Sequence, residues 1–567
     1  MTTTRRATGH HRSALPLPGT RTVAGAARRR SHGSLEARIV QHLTAGTRLD
    51  CLPGTAAGVA VTEEDMLGWD DSQILSADFL RKLLRGLVVP KPDPHGLRIR
   101  GVRVSGRVDL EDLTTEIGIV LIDCYLDQGL TSRDARLPVL GLIGCHARHE
   151  TTAVIDATRL VTTGPCALVR TCVRASWEGP AVQFSGASIG GQLNLSGSTI
   201  HNASGLALAL DGAAVAGDVI LREDFSAVSA GGQATIRARD AHVAGQFDCT
   251  GSELVNVSGP VLDGESLDVD EDLFLRSLQG TAECGGAGIK LSGASVGGQL
   301  DCSGMQAVNW TGSALDAKNL TVASDMLLRR DVRLTGAGPN PTVRLDDTRV
   351  TGIFDCSGAR ILHAGGRRNS WSVDGLTYSG VPLGKSCGGW LALLRDATPQ
   401  YAAQPYQQFA GAHKAMGQES DVRRVLMAQR AVQLASGGAD RKSRMWGAIT
   451  RATLGYGYQP WKALVWLLVT LAVSVAASVV LGAHGALTRV DEQVAGQPCS
   501  VLEQIAVGLD SGLPLIKTGA RDRCDLTTDA SSVTGIVLTV VTWLVQLAAW
   551  AFAALFVAGF TGAVRKN

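Results

Sequence analysis

Cysteine is the residue type in this chain best suited to redox or metal chemistry, and the chain contains twelve cysteines. No two of them form a Cys-x-x-Cys pair, the spacing typical of thiol redox centres and zinc ribbons. Cys249, Cys302 and Cys356 recur at intervals of 53 and 54 residues. This regular, wide spacing predicts small core residues of a repeat rather than a reactive thiol site.

Other motifs for catalysis are also weak. Gly286-Ala-Gly288 and Gly336-Ala-Gly338 lack the third glycine of a dinucleotide-binding loop. The twelve histidines are scattered, and the weak metal-binding candidates are His10 with His11 and His146 with His149. The sequence therefore predicts no catalytic residue, no metal ligand and no cofactor, and it makes an enzyme the less favoured class.

The element that positions most of these residues is a repeat within residues 182–380. Its units alternate between a form such as Gly297-Gly-Gln-Leu-Asp-Cys-Ser-Gly304 and a form such as Asp270-Glu-Asp-Leu-Phe-Leu-Arg-Ser277. The pattern alternates as in short strands, and its period is too short for each unit to bury its own apolar face. This indicates a parallel β-solenoid. The first apolar residue of each unit recurs every 26 to 28 residues, at Leu193, Val219, Phe247, Leu273, Leu300, Met326 and Phe354.

Strand alternation assigns inward and outward columns to the repeat. The inward residues two places after the anchors are Leu195, Leu221, Cys249, Leu275, Cys302, Leu328 and Cys356. The candidate surface columns are Asp248, Asp301 and Asp355 on one set of turns, with Arg222, Arg276 and Arg329 on the turns between. We expect diagonal Asp–Arg pairs on a solvated mixed-charge face, with a ligand groove as the alternative.

The segments Ser185–Gly197 and Ser292–Gly304 carry a resemblance. Their Gly-Ala-x-Val/Ile-x-Gly-x-Leu-Asp/Asn-Leu/Cys-Ser-Gly phrase resembles the bacterial, chiefly actinobacterial, pentapeptide-repeat-like β-solenoids that have two C-terminal membrane helices. The resemblance implies a membrane protein with this fold. Similar proteins are often labelled membrane-associated oxidoreductases, so the resemblance also implies that activity as an alternative.

The remaining soluble segments are assigned by composition and period. Residues 1–33 are rich in arginine without acidic residues and are expected to be a disordered basic tail. Residues 34–95 are expected to form an N-terminal helical cap, and residues 96–181 irregular solenoid turns before the regular ones of residues 182–387. Residues 388–436 have helical spacing and resemble one tetratricopeptide-like helix pair that caps the other end. Residues 437–460 are expected to form an interfacial linker helix.

Two apolar stretches near the C-terminus, residues 461–483 and 533–562, are long enough to cross a bilayer. Positive residues flank them on one side, so both termini, including residues 563–567, are expected in the cytoplasm of a cell with the protein in its inner membrane. The loop of residues 484–532 is then outside. Its only two cysteines, Cys499 and Cys524, form a candidate disulfide that would hold residues 500–514 against the bilayer surface.

The expected fold is thus an all-β parallel β-solenoid with helical caps and a C-terminal two-helix transmembrane hairpin. The function most consistent with every segment is a cytoplasmic scaffold presented at a membrane to an unknown protein partner, with homo-oligomers possible through the membrane helices. The alternatives are the oxidoreductase and a degenerate two-helix channel-like module, because an amphipathic segment lies between the spans like a pore helix. A net charge of +2 gives no reason to expect a nucleic-acid partner.

Overall fold

The computed structural model describes residues 34–52, 54, 61–436, 440–490, 497–512, 519–526 and 533–565. The predicted basic tail therefore lies outside the described residues. Most of the described chain forms three stacks of short parallel strands, with helices at both ends. The predicted parallel β-solenoid with helical caps is confirmed. The helices are α1 Leu35–Thr44, α2 Glu63–Leu67, α3 Ala77–Leu84, α4 Cys387–Asp396, α5 Gln404–Ala415, α6 Glu419–Ala435, α7 Arg441–Leu454, α8 Trp461–Ala483, α9 Val501–Gly512 and α10 Val533–Arg565.

A regular turn of the solenoid carries four short strands, two of which belong to a single 21-stranded sheet that we name sheet A. The strands of the first column of sheet A are Leu49–Asp50, Leu97–Arg100, Ile119–Ile122, Leu140–Ile143, Cys166–Val169, Leu193–Asn194, Val219–Ile220, Phe247–Asp248, Leu273–Phe274, Leu300–Asp301 and Met326–Leu327. Those of the second column are Arg136–Leu137, Val161–Thr162, Ser188–Ile189, Ala214–Val215, His242–Val243, Asp268–Val269, Ser295–Val296 and Thr321–Val322. Both columns end in Arg349–Asp355 and Thr377–Leu383.

The other two sides of the turn form sheet B, of 12 strands, and sheet C, of 11 strands. Sheet B comprises Ile74–Ser76, Arg103–Ser105, Tyr125–Leu126, His146–His149, Cys172–Ala175, Thr199–Asn202, Ser226–Ser229, Glu253–Asn256, Gln279–Ala282, Gln306–Asn309, Arg333–Gly336 and Arg360–His363. Sheet C comprises Val108–Asp109, Leu130–Thr131, Ile155–Asp156, Val182–Gln183, Leu208–Ala209, Ile236–Arg237, Leu262–Asp263, Ala287–Lys290, Ser313–Asp316, Val343–Arg344 and Trp371–Ser372.

The strand register places the predicted inward residues above one another. Phe247 pairs with Leu273, and Leu273 with Leu300, so Cys249 and Cys302 lie on either side of Leu275, two turns apart. All seven anchors and the seven residues two places after them are at most 1% exposed. The solenoid interior is therefore filled with side chains along its length. The same three sheets also run through residues 96–181, which the sequence had assigned to irregular turns.

The N-terminal end of the solenoid is covered by both helices and strands. Leu35, Ile39 and Leu43 on α1 join the solenoid core. The strand Leu49–Asp50 pairs with Leu97–Arg100 in sheet A. A second strand, Ile74–Ser76, extends sheet B in the same way. The cap is therefore a mixed structure in which added strands satisfy the first edge, a device that prevents edge-to-edge association.

The C-terminal end is covered by α4 and α5. Trp390 packs on Phe354 of the final turns, with ring centroids 6.0 Å apart, and Phe409 packs on Trp390 at 6.1 Å. The amide groups of Gln404 and Gln408 donate hydrogen bonds to the carbonyls of Leu376 (3.0 Å) and Tyr378 (2.8 Å). These side chains pair backbone groups that the last strand would otherwise leave open. Three helices, α4 to α6, occupy the region where the sequence predicted a helix pair.

Candidate functional site

The aspartate column of the solenoid is not solvated. Asp248, Asp301 and Asp355 are only 5 to 6% exposed. Their carboxylates turn back and accept the backbone N–H two residues on, at Thr250 (2.8 Å), Ser303 (2.9 Å) and Ser357 (2.9 Å). Such a bond stabilises a tight turn. The expectation of a solvated column was therefore wrong, because neighbouring turns cover the outward residues and the corner needs the carboxylate.

The arginine column also differs from the expected regular pairs. Arg222 approaches Asp248 at 3.5 Å, but Arg329 donates to the hydroxyl of Ser303 at 3.4 Å. The guanidinium of Arg276 lies over the ring of Phe274, 3.8 Å from its centroid. Phe274 points outward and is still only 7% exposed. Arg276 therefore covers an apolar side chain of its own turn, and the diagonal pairs do not form a continuous ladder.

Charges elsewhere on the solenoid pair between successive turns. Arg100 bonds Asp123 at 2.7 Å, and Arg239 bonds Asp263 at 2.6 Å. The hydrogen bond that Arg239 donates to the Asp263 carboxylate raises the pKa of the Arg239 guanidinium. These pairs bridge residues more than 20 positions apart in sequence and so connect one turn to the next. These arginines and aspartates therefore neutralise each other across successive turns.

The core cysteines are poor nucleophiles. Burial raises the pKa of Cys166 to about 12 and that of Cys356 to about 11. Burial also raises the pKa of Cys249 and of Cys302. Because the thiolate is the reactive form, very little reactive thiol exists at these positions near neutral pH. These cysteines act as small apolar core residues, as the spacing of Cys249, Cys302 and Cys356 predicted for those three.

One apolar surface of the solenoid was not recognised from the sequence. Val257, Trp310 and Leu362 are exposed on or just after strands of sheet B, and Trp310 is 61% exposed. Val257 and Trp310 follow strands that are two turns apart and occupy equivalent register positions, and exposed Glu283 occupies that position on the turn between them. We name these three residues the sheet B patch. In the sequence, this surface could have been recognised from Trp310, which directly follows a strand whose residues alternate between exposed and buried.

The helices α8 and α10 expose most of their apolar surface. Each contains 23 residues that are long and apolar enough to cross a membrane, and only 11% and 6% of the two windows are buried. A core helix of a soluble protein would be mostly buried instead. The two helices contact each other, with the rings of Trp466 and Phe552 stacked at 6.2 Å. By length and composition, α8 and α10 could therefore cross a membrane.

The helix α9 packs along α8 in the opposite direction. A Cβ atom at Gly482 would lie 2.2 Å from Gln504, one at Gly508 would lie 2.6 Å from the Cα atom of Val475, and α9 ends with Gly512 against Leu471. The hydroxyl of Ser474 donates to the carbonyl of Gly508 at 2.8 Å. The twelve residues of α9 thus return along about half of α8. Residues 500–514 were expected to lie against the bilayer surface, and the described part of this segment, α9, packs along α8.

A disulfide joins Cys499 and Cys524, the pair that the sequence singled out, with Cα atoms 6.4 Å apart. It lies next to a two-stranded antiparallel sheet formed by Leu487–Arg489 and Cys524–Leu526. Arg489 bonds Glu503 in the first turn of α9 at 3.0 Å. Hydrogen bonds from Ser500, together with Arg489, lower the pKa of Glu503. The disulfide and this ion pair hold the start of α9 at the end of α8.

In comparisons with known proteins, no protein-family model, no curated protein and no solved structure matches this chain.

Proposed function

We propose that the protein is an integral membrane scaffold whose β-solenoid presents the sheet B patch to a partner protein in the cytoplasm. The observation that carries this proposal is the exposed patch on a rod with a filled interior. Exposed apolar clusters on otherwise polar surfaces are typical of interaction sites, and tryptophan is enriched at the energetic centres of interfaces. A filled solenoid leaves its outer faces as the surfaces available for recognition.

Photocrosslinking tests the scaffold function. A benzoylphenylalanine introduced at Trp310 in the full-length protein is expected to give a discrete adduct in native membranes. The same group at Thr321, an exposed position of sheet A, is the matched control and should give none. Adding Val257→Glu to the Trp310 probe should abolish the adduct, because a charge would enter the apolar contact. Equal adducts at both positions, or an adduct that survives Val257→Glu, would contradict the proposal.

In this proposal α8 and α10 span the inner membrane, with both termini in the cytoplasm. The support comes from their exposed apolar faces and from the cationic residues before α8, which favour the cytoplasmic side. The loop with the disulfide then lies in an oxidising compartment, where disulfides persist. In this proposal the free cysteines of the solenoid and its caps lie in the cytoplasm, which is a reducing compartment.

Thiol labelling of intact cells checks this orientation. With a membrane-impermeant reagent, Cys499 and Cys524 are expected to label only after treatment with an impermeant reductant. Cys387 is partly exposed in α4 and serves as the internal control, since it should label only after the cells are lysed. Labelling of Cys387 in intact cells, or failure of the loop cysteines to label after reduction, would reverse or reject the orientation.

The position of α9 favours a channel-like module as a second candidate. A half-length helix that returns between two spans is the arrangement in which pore helices occur, and irregular backbone at membrane depth is tolerated where it lines a cavity. Residues 513–518, where a filter would follow, lie outside the described residues. Cation flux into liposomes reconstituted with the full-length chain tests this candidate, because a scaffold alone would conduct nothing.

The oxidoreductase activity implied by the resemblance has less support. The raised pKa values of Cys166 and Cys356 do not suit thiol redox chemistry near neutral pH. Recovery of a tightly bound flavin or nicotinamide from the purified protein would establish this alternative and displace the scaffold as the leading function.

A further inference from the structure

A cationic cavity lies where the soluble part of the chain meets α8. It has a volume of about 490 Å³ and is formed between α6, α7 and the start of α8. Arg444 and Arg451 on α7 line it together with Lys462 in the first turn of α8, and Tyr456 adds a phenol. The rest of its lining is small or apolar, and it includes no acidic residue.

The three cations differ in their partners from ion-paired solenoid arginines such as Arg100 and Arg239. Within the described part of the chain, Arg444, Arg451 and Lys462 form no ion pair. A larger cavity beside α4, of about 810 Å³, contains Arg395, but Asp396 already bonds that arginine at 2.8 Å. Three uncompensated cations around one cavity create a positive potential that favours an anion with several oxygen acceptors.

The cavity is adjacent to the proposed membrane surface. Trp461, the first residue of α8, is exposed beside Lys462. On α7, Met445, Trp446 and Ile449 are exposed at helical spacing, on a different side from Arg444 and Arg451. The indole of Trp466 donates to the carbonyl of Ala452 at 3.1 Å and so fixes α7 to α8. A short helix with exposed aromatic and apolar residues beside basic ones is typical of segments at the bilayer interface.

We propose that this cavity binds the phosphate headgroup of an anionic phospholipid in the same leaflet. The inference rests on the proposed membrane anchorage and extends it from a hydrophobic anchor to a specific lipid site. Arg444 and Arg451 contact the phosphate oxygens, Lys462 adds charge from the first turn of α8, and the acyl chains extend along the apolar surface of α8. A lipid is favoured over free phosphate because Lys462, which lines the cavity, follows exposed Trp461 at the start of the apolar helix α8.

The test uses full-length protein in a non-ionic detergent and native mass spectrometry. Titration with phosphatidylglycerol or with phosphatidylcholine of the same acyl chains is expected to show preferential retention of phosphatidylglycerol. Arg444→Gln combined with Arg451→Gln should reduce that preference about tenfold or more, since each cation near an anionic lipid contributes. Lys442→Gln is the matched control on the same helix, because Lys442 is exposed and does not line the cavity. It should keep the preference.

Further arms separate the alternatives. Arg451→Lys keeps the charge and should retain most of the lipid preference. This result would show that the double variant loses the preference through lost charge and not through misfolding. Inorganic phosphate at millimolar concentration should not displace phosphatidylglycerol; if it does, the cavity is a site for soluble phosphate and the lipid proposal is overturned. Equal binding of the two lipids by the wild type also overturns it.

Membrane anchorage is measured separately on the same variants. The Arg444→Gln, Arg451→Gln protein should stay in the membrane fraction after alkaline carbonate extraction, because α8 and α10 are unchanged. A wild type that carbonate releases would refute the proposed anchorage. A wild type that stays in the membrane without lipid preference would refute only the lipid site.

Discussion

Replacing Leu275 by Asp is expected to unfold the turns of the solenoid on either side of it. Leu275 is 0% exposed and lies in the inward column between Cys249 and Cys302. An unpaired carboxylate in this dry core costs on the order of several kcal/mol, and each turn depends on its neighbours for stability. Hydrogen exchange of the full-length protein in detergent should show lost protection centred on residues 247–302.

The matched control is Thr281→Asp, in the same turn. Thr281 lies at an outward, exposed position of the sheet B strand Gln279–Ala282. The same charge placed there remains in water, and surface substitutions of this kind change the free energy of unfolding by about 0.5 kcal/mol or little more. Arg276, which the sequence placed in a solvated surface column, is unsuitable as a control because it covers Phe274. Similar loss of protection in both variants would show that the inward column is assigned incorrectly.

Replacing Gly508 by Leu is expected to detach α9 from α8. The new Cβ would lie 2.6 Å from the Cα atom of Val475 and 3.1 Å from the carbonyl oxygen of Ser474. Backbone atoms cannot move aside unless the helices separate, and overpacking of this kind typically costs on the order of 1–3 kcal/mol. Separation would also break the bond from Ser474 to the Gly508 carbonyl. Thermal unfolding of the full-length protein in detergent, followed by size-exclusion chromatography, should show a clear loss of stability.

Gly411→Leu is the matched control, because it makes the same substitution at a position with free space around it. Gly411 is a helical glycine of α5, and a Cβ atom there meets nothing within 4 Å. Leucine has a higher helix propensity than glycine, so this variant should be neutral or slightly more stable. If Gly508→Leu is as stable as Gly411→Leu, α9 does not pack closely on α8, and the channel-like candidate loses its main structural support.

The fold was predictable because its signals are local and periodic. Strict alternation over Leu273, Leu275 and their equivalents every 26 to 28 residues assigns one side of each strand to the core, and a one-residue shift would reverse it. Length and apolar composition likewise predicted two helices that match α8 and most of α10. The pairing of Cys499 with Cys524 followed from their being the only cysteines of one loop.

The exposed fraction of the outward residues depended on the tertiary structure. Asp248 and Phe274 occupy equivalent positions on successive turns and are both almost fully covered, although one is charged and the other apolar. The alternation of apolar and polar residues predicts on which side of a strand a residue lies. The packing of the neighbouring turns determines whether water reaches that residue. The turn geometry then decides whether a carboxylate bonds an arginine or the backbone.

The positions of α9 and of the cationic cavity also depended on contacts between distant segments. The sequence showed that α9 is amphipathic, but amphipathicity does not say whether the apolar side meets lipid or another helix. Small residues at Gly508 and Gly512 allow α9 to approach α8, and this match is visible only when both helices are in place. Similarly, the sequence shows Arg444, Arg451 and Lys462 only as three positive charges near the start of α8. The folded chain places them around one cavity. Sequence periodicity determined which residues form the core, whereas the packing of separate elements decided which polar groups come together.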